Sequence, residues 1–246
     1  MIGRRVLVTA SRPGPVCRLL EERGALPVAV PTIAVRPVEG RALDGPLETL
    51  GGYDWVVVTS PNGARFVTER LPALVRSVPA APKWAVVGPR TREILEAAGL
   101  RVSAEPRGQV AAGIPDAMGE VAGARVLLLR AATASRDLPR ALAARGAQVD
   151  DVVAYEVVEG PETSRSALVR AVADGLDAAV FTSGSTVRGF ARLIGNPAPA
   201  LAGARVVCIG PVTARVARES GLEDVEVARG RTPAAIVAAV AKRADG

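Results

Sequence analysis

The chain has 246 residues, of which 49% are hydrophobic, and its net charge of +6 comes from 29 arginines and only two lysines against 25 acidic residues. Histidine is absent, which excludes serine-hydrolase triads and most zinc chemistry, and no uncharged apolar run reaches the roughly 18 residues of a membrane span. The positive charge suits a polyanionic ligand, whereas an aromatic content of 3% is too low for the base-stacking surface of a nucleic-acid-binding protein.

The first predicted elements are a strand, a polar turn, an amphipathic helix that ends at a glycine, and a second strand, all within residues 5–35. We interpret the short apolar run near the N-terminus as this first strand rather than as a secretory signal, and therefore expect a cytoplasmic protein. Residues 54–71 predict a buried strand, a hydroxyl-rich turn and a helix. Residues 86–100 join an apolar strand to a helix through a Gly-Pro-x-Thr turn, and a short strand and a helix near 108–120 follow.

The second half of the chain repeats this series, with a last helix near 232–242. The matching segments are 5–35 with 125–157, 54–71 with 177–195, and 86–100 with 208–222, the last pair at an offset of 122 residues. Such a repeat indicates a duplicated unit and by itself places a domain boundary near residue 123. Alternating helices and continuously apolar strands predict an α/β fold with two doubly wound parallel-sheet domains.

Ligands of such folds bind in the loops that follow the carboxyl ends of the strands, where the repeated turns lie. Gly88 and Thr91 begin one helix, and Gly210 and Thr213 begin its counterpart. The free amides of a first helical turn, the helix dipole and a threonine hydroxyl together make a site for a carboxylate. A single copy of the turn is explained more simply as a helix cap.

Hydroxyl groups also mark the other pair of helix starts. Ser60 lies in "TSPNG", and Ser183 and Ser185 lie in "TSGST". Each could be an N-cap only, and neither segment is a P-loop or a dinucleotide-binding loop. Taken together, the four helix starts predict a cleft for several carboxylates or phosphates. Arg12 and Arg130, at the turns after the first strand of each repeat, are further candidates for binding the ligand.

Tyr155 ends an apolar strand where the chain passes between the repeats, and it has either a packing role or a functional role. Cys17 and Cys208 have no neighbouring metal ligands in the sequence. We expect both cysteines to be buried as small apolar residues, and we expect no metal site.

The whole set of motifs resembles the uroporphyrinogen-III synthase family. The resemblance extends over essentially the entire chain and rests on the order, spacing and duplication of its pieces rather than on one specific motif. The pieces are "VVVTSPNGARF", "VVGPRTREILEAAG", "VLLLRAATASRDLPRALAARGAQVDDVVAYEVV", "AVFTSGSTVRGF" and "VVCIGPVTARVARESG".

The resemblance implies discontinuous domains, one formed by residues 1–36 with 158–246 and the other by residues 37–157, joined by a two-stranded linker. It also implies a cyclising lyase whose substrate is hydroxymethylbilane, a linear tetrapyrrole with eight carboxylates. The enzymes of this family remove the terminal hydroxyl as water, invert the last pyrrole (ring D) and close the macrocycle to uroporphyrinogen III. They use no metal or organic cofactor, so none is expected here.

The resemblance further implies that Thr91, Thr213 and Ser185 bind the substrate and that Tyr155 assists departure of the substrate hydroxyl. Gly184 stands where family members often have a proline, so this sequence departs from the family pattern in that loop. The mechanism expected is positioning and electrostatic stabilisation of a substrate that already ionises readily.

Two other functions fit parts of the sequence. A two-domain α/β binding protein for a small polyanionic ligand would need no catalytic group, but such proteins are normally exported. A two-domain glycosyltransferase would need a nucleotide-phosphate site and usually a catalytic base, and neither is recognisable. We expect a monomer that binds neither nucleic acid nor membrane.

Overall fold

The computed structural model describes residues 1–38, 43–74, 82–108 and 110–242. Strands and helices alternate along the described chain. The strands are β1 (Arg5–Val8), β2 (Leu26–Ala29), β3 (Ile33–Pro37), β4 (Trp55–Val58), β5 (Lys83–Val86), β6 (Val102–Ala104), β7 (Arg125–Ala131), β8 (Gln148–Glu159), β9 (Ala178–Phe181), β10 (Arg205–Cys208) and β11 (Val225–Val227). The helices are α1 (Gly14–Glu21), α2 (Asp44–Glu48), α3 (Pro61–Leu74), α4 (Pro89–Ala97), α5 (Ile114–Met118), α6 (Asp137–Ala144), α7 (Arg165–Ala173), α8 (Gly184–Ile194), α9 (Pro197–Ala200), α10 (Pro211–Glu219) and α11 (Pro233–Ala241).

The chain divides into two compact units. Unit 1 comprises Met1–Ala34 and Val158–Gly246, and unit 2 comprises Val35–Val157. The two boundaries fall within β3 and β8, so the chain passes from one unit to the other twice. A single boundary near residue 123, which the repeat by itself suggests, is wrong because β7 pairs with β4 in the same sheet.

The two units share one strand order. Unit 1 has a five-stranded sheet in the order β2-β1-β9-β10-β11, and the sheet of unit 2 runs β3-β8-β7-β4-β5-β6. All neighbouring strands of unit 1 are parallel, as predicted, and so are those from β8 to β6 in unit 2. When β7 and β8 are matched to β1 and β2, the repeated strands lie in the same sequence in both sheets. Each unit therefore combines strands from both halves of the chain.

Repeated aspartates fix the register at the amino ends of the central strands. In unit 2, the Asp54 carboxylate accepts a hydrogen bond from the Arg125 amide at 2.8 Å, and the Asp54 amide donates to the Arg125 carbonyl at 2.9 Å. In unit 1, Asp177 makes the same pair of bonds with the backbone of Arg5, at 2.7 and 2.9 Å. The duplication is thus preserved in three dimensions down to single hydrogen bonds.

Helices cover both faces of each sheet, which explains the continuously apolar strands. All four residues of β4 and of β9 are buried, and each sheet has a separate apolar cluster on either face. Strands buried on both faces are the expected consequence of parallel crossovers. The predicted α/β fold is confirmed.

One helix is shorter than the sequence predicts. The helix predicted near 108–120 is the short α5, preceded by a 3₁₀ turn at Ala111–Gly113, and residue 109 lies outside the described residues. Pro115 at the start of α5 and Gly119 at its end, with φ of 76°, limit the helix to one turn.

Within the described ranges, no helix combines the length and apolarity needed to cross a membrane.

Candidate active site

The strand order places the predicted site residues at one edge of each sheet. In a doubly wound sheet, ligands bind outside the carboxyl ends of the strands where the strand order reverses, between β1 and β9 in unit 1 and between β7 and β4 in unit 2. We call the region just beyond the carboxyl ends of the strands in each unit its carboxyl edge. The edge of unit 1 carries Arg12, Ser183, Ser185, Gly210 and Thr213, and the edge of unit 2 carries Ser60, Thr91, Arg130 and Tyr155.

Tyr155 lies beside Ser60 at the carboxyl edge of unit 2. Their hydroxyl oxygens are 2.7 Å apart, and the Ser60 Oγ also accepts a hydrogen bond from the Gly63 amide at 3.0 Å, as a cap of α3. The Tyr155 ring is only 5% exposed and stacks on Phe66, with centroids 5.7 Å apart. Burial raises the pKa of the Tyr155 hydroxyl, and the bond with Ser60 opposes that rise. The phenol is therefore protonated at neutral pH.

The threonines of the two Gly-Pro-x-Thr turns occupy equivalent positions. Thr91 is 2% exposed and Thr213 is 4% exposed, each in the first turn of a nine-residue helix. Neither hydroxyl is hydrogen-bonded to another described residue. In the described part of the chain, every fully buried side-chain oxygen has a hydrogen-bond partner. Because the two threonine hydroxyls have none, they are not fully buried and still reach solvent. An open hydroxyl on an otherwise buried side chain is well suited to bind a ligand.

Gly210 precedes α10 in an extended conformation, with φ of −173° and ψ of 172°. Any residue adopts this backbone, so the conformation of the turn does not require glycine. A Cβ added to Gly210 would meet no protein atom within 4 Å. The absence of a side chain leaves open space at the start of α10, as expected where a ligand approaches the backbone.

Ser183 and Ser185 lie at the N-terminus of α8. Ser183 is the N-cap and forms a reciprocal capping box with Thr186, with both backbone-to-side-chain bonds at 3.2 Å. The hydroxyl oxygens of Ser183 and Ser185 are 2.9 Å apart. The structure thus gives Ser183 the capping role that the sequence left open, and it joins the two serines into one hydroxyl pair.

The two predicted arginines have different surroundings. Arg130 is 5% exposed, and its guanidinium donates to both carboxylate oxygens of Asp151, at 2.5 and 2.9 Å. It also donates to the carbonyls of Ala131 and Ala134, so it holds the turn after β7. Arg12 is exposed, and no hydrogen bond or ion pair joins it to another described residue. Arg12 is therefore available to an anion, whereas the donors of Arg130 are largely occupied within the protein.

No group of three or more metal-ligating side chains occurs in the described ranges of the chain. Cys208 is buried as predicted, and burial raises the pKa of its thiol to about 12. Cys17 is only half-buried, contrary to the prediction, because the buried face of α1 is formed by Val16 and Leu20 and Cys17 lies beside it. Burial raises the pKa of Cys17 as well, so neither cysteine is a reactive thiolate.

Comparison with known proteins agrees with the motifs and the geometry. A family model described as uroporphyrinogen-III synthase HemD matches residues 16–238. The chain belongs to the uroporphyrinogen-III synthase family. The uroporphyrinogen-III synthase of Synechococcus elongatus is 30% identical over 232 residues, which cover 89% of this chain and 87% of that protein. A putative uroporphyrinogen-III synthase of Methanothermobacter thermautotrophicus is 29% identical over 222 residues, covering 87% and 88%.

Solved structures of the uroporphyrinogen-III synthase family share the fold. The uroporphyrinogen-III synthetase of Helicobacter pylori superimposes with a TM-score of 0.63 at 17% identity, over 96% of this chain and 97% of that chain. A mutant uroporphyrinogen III synthase from Thermus thermophilus gives a TM-score of 0.60 at 22% identity with the same coverage. At such identities the likeness establishes the two-unit α/β architecture only.

Sequence reasoning missed several residues that shape the two edges. Phe66 and Gly63 accommodate the Tyr155 ring, and Asp151 neutralises Arg130. Only one of the missed residues had a usable signal. Thr186 follows Ser183 by three residues, the spacing of a capping box, and its hydroxyl completes that box.

Proposed function

We propose that this chain converts hydroxymethylbilane to uroporphyrinogen III, with loss of water and inversion of ring D. The observation that carries the proposal is the pair Thr91 and Thr213, each nearly buried, each with a solvent-accessible hydroxyl, and each at a helix start on the carboxyl edge of its sheet. Membership of the uroporphyrinogen-III synthase family supports an enzyme, a cyclising lyase, over the alternative of a non-catalytic binding protein.

The substrate carboxylates are proposed to bind to helix starts and hydroxyls. The first turns of α4 and α10 offer amides at the positive end of a helix dipole, next to Thr91 and Thr213. Ser185 adds a hydroxyl at the start of α8, and the open space at Gly210 admits a ligand to the backbone. Arg12 supplies an exposed guanidinium to the same edge.

The other predicted binding residues support the site from within the protein. Ser183 caps α8 and orients Ser185, and Arg130 holds the turn after β7 through Asp151. Direct contact of Ser183, Ser60 or Arg130 with the substrate stays a prediction from the sequence. Their observed hydrogen bonds support a role in shaping the two edges.

The chemistry asked of the protein is modest. The bond between the terminal methylene carbon and its hydroxyl breaks, and the oxygen leaves as water after it accepts a proton. Tyr155 is proposed to donate that proton, because its phenol is protonated at neutral pH and sits in an apolar setting beside Phe66. Ring D attacks this electron-poor methylene carbon through its own substituted carbon, which gives a spiro intermediate. The bond from that carbon to the neighbouring bridging methylene then breaks, and the freed methylene bonds to the other α-carbon of ring D, which gives up its hydrogen as a proton. Ring closure releases a proton that restores the phenol, so no net acid or base is consumed.

The decisive experiment is incubation of the protein with freshly prepared hydroxymethylbilane, followed by oxidation and chromatographic separation of the macrocycle isomers. Without enzyme, the bilane closes without inversion to the type I isomer, so the type III isomer reports catalysis directly. We expect the type III isomer to dominate in the presence of the protein. A type I product formed at the uncatalysed rate would leave a binding protein as the better account.

We also propose a monomer that works in the cytoplasm without metal or organic cofactor. Pairing of β1 with both β2 and β9 supports the interpretation of the N-terminal apolar run as a strand. Activity should survive prolonged dialysis against a chelator, and sedimentation should give the mass of a single chain. Activity that falls on dialysis and returns with an added metal ion would contradict the cofactor-independent mechanism.

A further inference from the structure

The hydrogen bond between Ser60 and Tyr155 orients the hydroxyl of the phenol. The Ser60 Oγ lies 2.7 Å from the Tyr155 hydroxyl and accepts the Gly63 amide at 3.0 Å. Ser60 is thus both the cap of a 14-residue helix and the observed hydrogen-bond partner of the phenol. This inference rests on the proposed function, because it concerns the group that donates the proton to the leaving hydroxyl.

Counting donors and acceptors leaves two possible directions for this hydrogen bond. A serine hydroxyl has one hydrogen and two lone pairs, and one lone pair of Ser60 is used by the Gly63 amide. If Tyr155 donated to Ser60, the phenol hydrogen would be turned towards Ser60 and away from any ligand. If Ser60 donates to Tyr155, the phenol oxygen accepts and its own hydrogen stays free for the leaving hydroxyl. The count permits both arrangements, and only the second leaves the phenol hydrogen for the substrate.

The helix start favours the same direction. The Gly63 amide belongs to the first turn of α3, where the partial positive charge of the helix is concentrated. A chain of bonds from amide to serine hydroxyl to phenol polarises each successive hydroxyl, which makes the final hydrogen a better donor. Among the described residues the phenol has no other hydrogen-bond partner, and its ring stacks on Phe66 and is almost wholly buried.

Gly63 also provides the space for this arrangement. A Cβ at this position would come within 3.3 Å of Val58, 3.4 Å of the Ser60 Oγ and 3.7 Å of the Tyr155 ring. The approach to Val58 is tight, whereas the other two distances are ordinary contacts, so a methyl group would fill the space beside the serine and the phenol. The sequence Ser-Pro-Asn-Gly thus combines a capping serine with a glycine that leaves room for the tyrosine ring.

We propose that Ser60 is a positioning residue, which donates its hydroxyl hydrogen to the Tyr155 oxygen and so directs the phenol hydrogen to the departing hydroxyl of the bilane. In the reacting complex the phenol O–H bond breaks as the substrate oxygen takes the proton and leaves as water. The hydroxyl of Ser60 keeps its own hydrogen throughout and stabilises the transient phenolate. That phenolate is reprotonated by the proton released on ring closure.

The activity test is a double-mutant cycle. Ser60→Ala should lower kcat about tenfold in the parent protein, the size expected for one hydrogen bond to a developing charge, with KM little changed. In the Tyr155→Phe background the same substitution should change kcat less than about twofold, because the phenol it serves is gone. Ser60→Thr keeps a hydroxyl at the N-cap and should restore kcat to near the parent value. Equal losses in both backgrounds would overturn the proposal.

Loss of the helix cap must be separated from loss of positioning. Thr232 caps α11 through a 3.2 Å bond from the Ala235 amide and is exposed, so Thr232→Ala is a matched loss of a cap. Both alanine variants should lower the melting temperature by about 2–4 °C, but only Ser60→Ala should lower kcat. If kcat falls together with the melting temperature in both variants, Ser60 acts only as a helix cap.

A spectroscopic measurement reads the bond direction without any activity. The chain has only two tyrosines, so ring-labelled tyrosine gives two carbon signals, and Tyr155→Phe assigns them. A bond donated by Ser60 stabilises the phenolate, so Ser60→Ala should raise the titration midpoint of Tyr155 while that of Tyr53 stays constant. A lowered midpoint would show that Tyr155 donates to Ser60, and the proposal would be wrong. Absence of type III product with the parent protein would instead count against the proposed function and would not alter this spectroscopic result.

Discussion

Helices α3 and α8 begin with the same repeated segment, yet they receive different partners. Ser183 follows Ser60 by 123 residues, and at that offset Thr186 matches Gly63 and Gly189 matches Phe66. The small and the large residues have thus changed places one turn apart. Each serine still caps its helix, and the capping geometry is therefore common to both copies.

The exchange decides what can approach each helix. In unit 2, Gly63 leaves room beside Ser60, and Phe66 supports the ring of Tyr155. In unit 1, the Thr186 hydroxyl closes the capping box, and Gly189 lets the backbone of Thr32 lie directly against α8.

Thr32 and Tyr155 occupy equivalent places in the two units. Thr32 follows β2, and Tyr155 follows the part of β8 that corresponds to β2. The Thr32 hydroxyl donates to the Thr186 carbonyl at 2.7 Å, whereas the Tyr155 hydroxyl meets the Ser60 hydroxyl. One copy of the duplicated helix start therefore anchors the main chain, and the other positions a phenol. Duplication supplied two similar helix starts, and divergence at two positions placed a phenol beside only one of them.

The largest effect is expected from Gly189→Ala, which tests the anchoring role of α8. A Cβ at this position would lie 1.9 Å from the Thr32 carbonyl oxygen. Movement of Thr32 would strain the bond that this oxygen accepts from the Gly160 amide, and movement of α8 would strain the bond from the Thr32 hydroxyl to the Thr186 carbonyl. We expect a loss of about 3 kcal/mol or more in unfolding free energy, or no folded protein. Gly45→Ala in α2 is the control, since its Cβ meets no atom within 4 Å. Equal melting temperatures for the two variants would contradict the close approach.

Tyr155→Phe tests the role assigned to the other copy. The ring and its stacking on Phe66 are kept, so folding should be almost unchanged. We expect single-turnover rates to fall on the order of 10²-fold, the usual range for a general acid, while the enzymatic product remains the type III isomer. A rate equal to that of the parent protein would show that Tyr155 only packs at the edge of its sheet.

Thr91→Ala and Thr213→Ala ask whether the Gly-Pro-x-Thr turns have stayed equivalent. Each variant removes a hydroxyl that has no described partner in the protein, so stability should change little. If each hydroxyl binds a substrate carboxylate, kcat/KM should fall by an amount corresponding to about 1.5–3 kcal/mol. The two losses are measured side by side by isomer-resolved kinetics. Lost thermal stability with full turnover of the folded fraction would make either threonine a structural residue only.

The smallest effect is expected from Ser183→Ala. It removes the side-chain half of the capping box and the 2.9 Å contact with Ser185. Unfolding free energy should fall by about 1 kcal/mol, measured by denaturant titration. Ser183→Thr retains the cap and should recover that loss. An alanine variant as stable as the parent protein would mean that the capping box contributes nothing in solution.

Much of the fold could be predicted from the sequence because its signals are local. Continuous apolar runs such as Trp55–Val58 identified strands buried on both faces, and Gly-Pro identified the starts of α4 and α10. The offset of 122 residues revealed the duplication. The repeat alone could not reveal that β7 and β8 join β4, β5 and β6 in one sheet, because strand exchange between repeats leaves no local mark.

Hydroxyl groups at strand ends were also visible in the sequence, but their roles were not. Thr91 and Thr213 were proposed as ligand-binding residues or caps, and the structure gives them nearly buried side chains with open hydroxyls. Arg130 looked like a free cation, but its partner Asp151 lies 21 residues away on the neighbouring strand. Pairing across strands depends on the register of the sheet, which no short segment contains.

The sequence by itself determined the elements, the duplication and the places where ligand-binding loops begin, because hydrophobic period and turn chemistry act within a few residues. Only the tertiary structure decided which group each hydroxyl contacts. Ser60 and Tyr155 are 95 residues apart, and Thr32 and Thr186 are 154 apart. Contacts at such separations form when helices pack on a twisted sheet, where the size of one side chain, Phe66 or Gly189, selects the neighbour that fits.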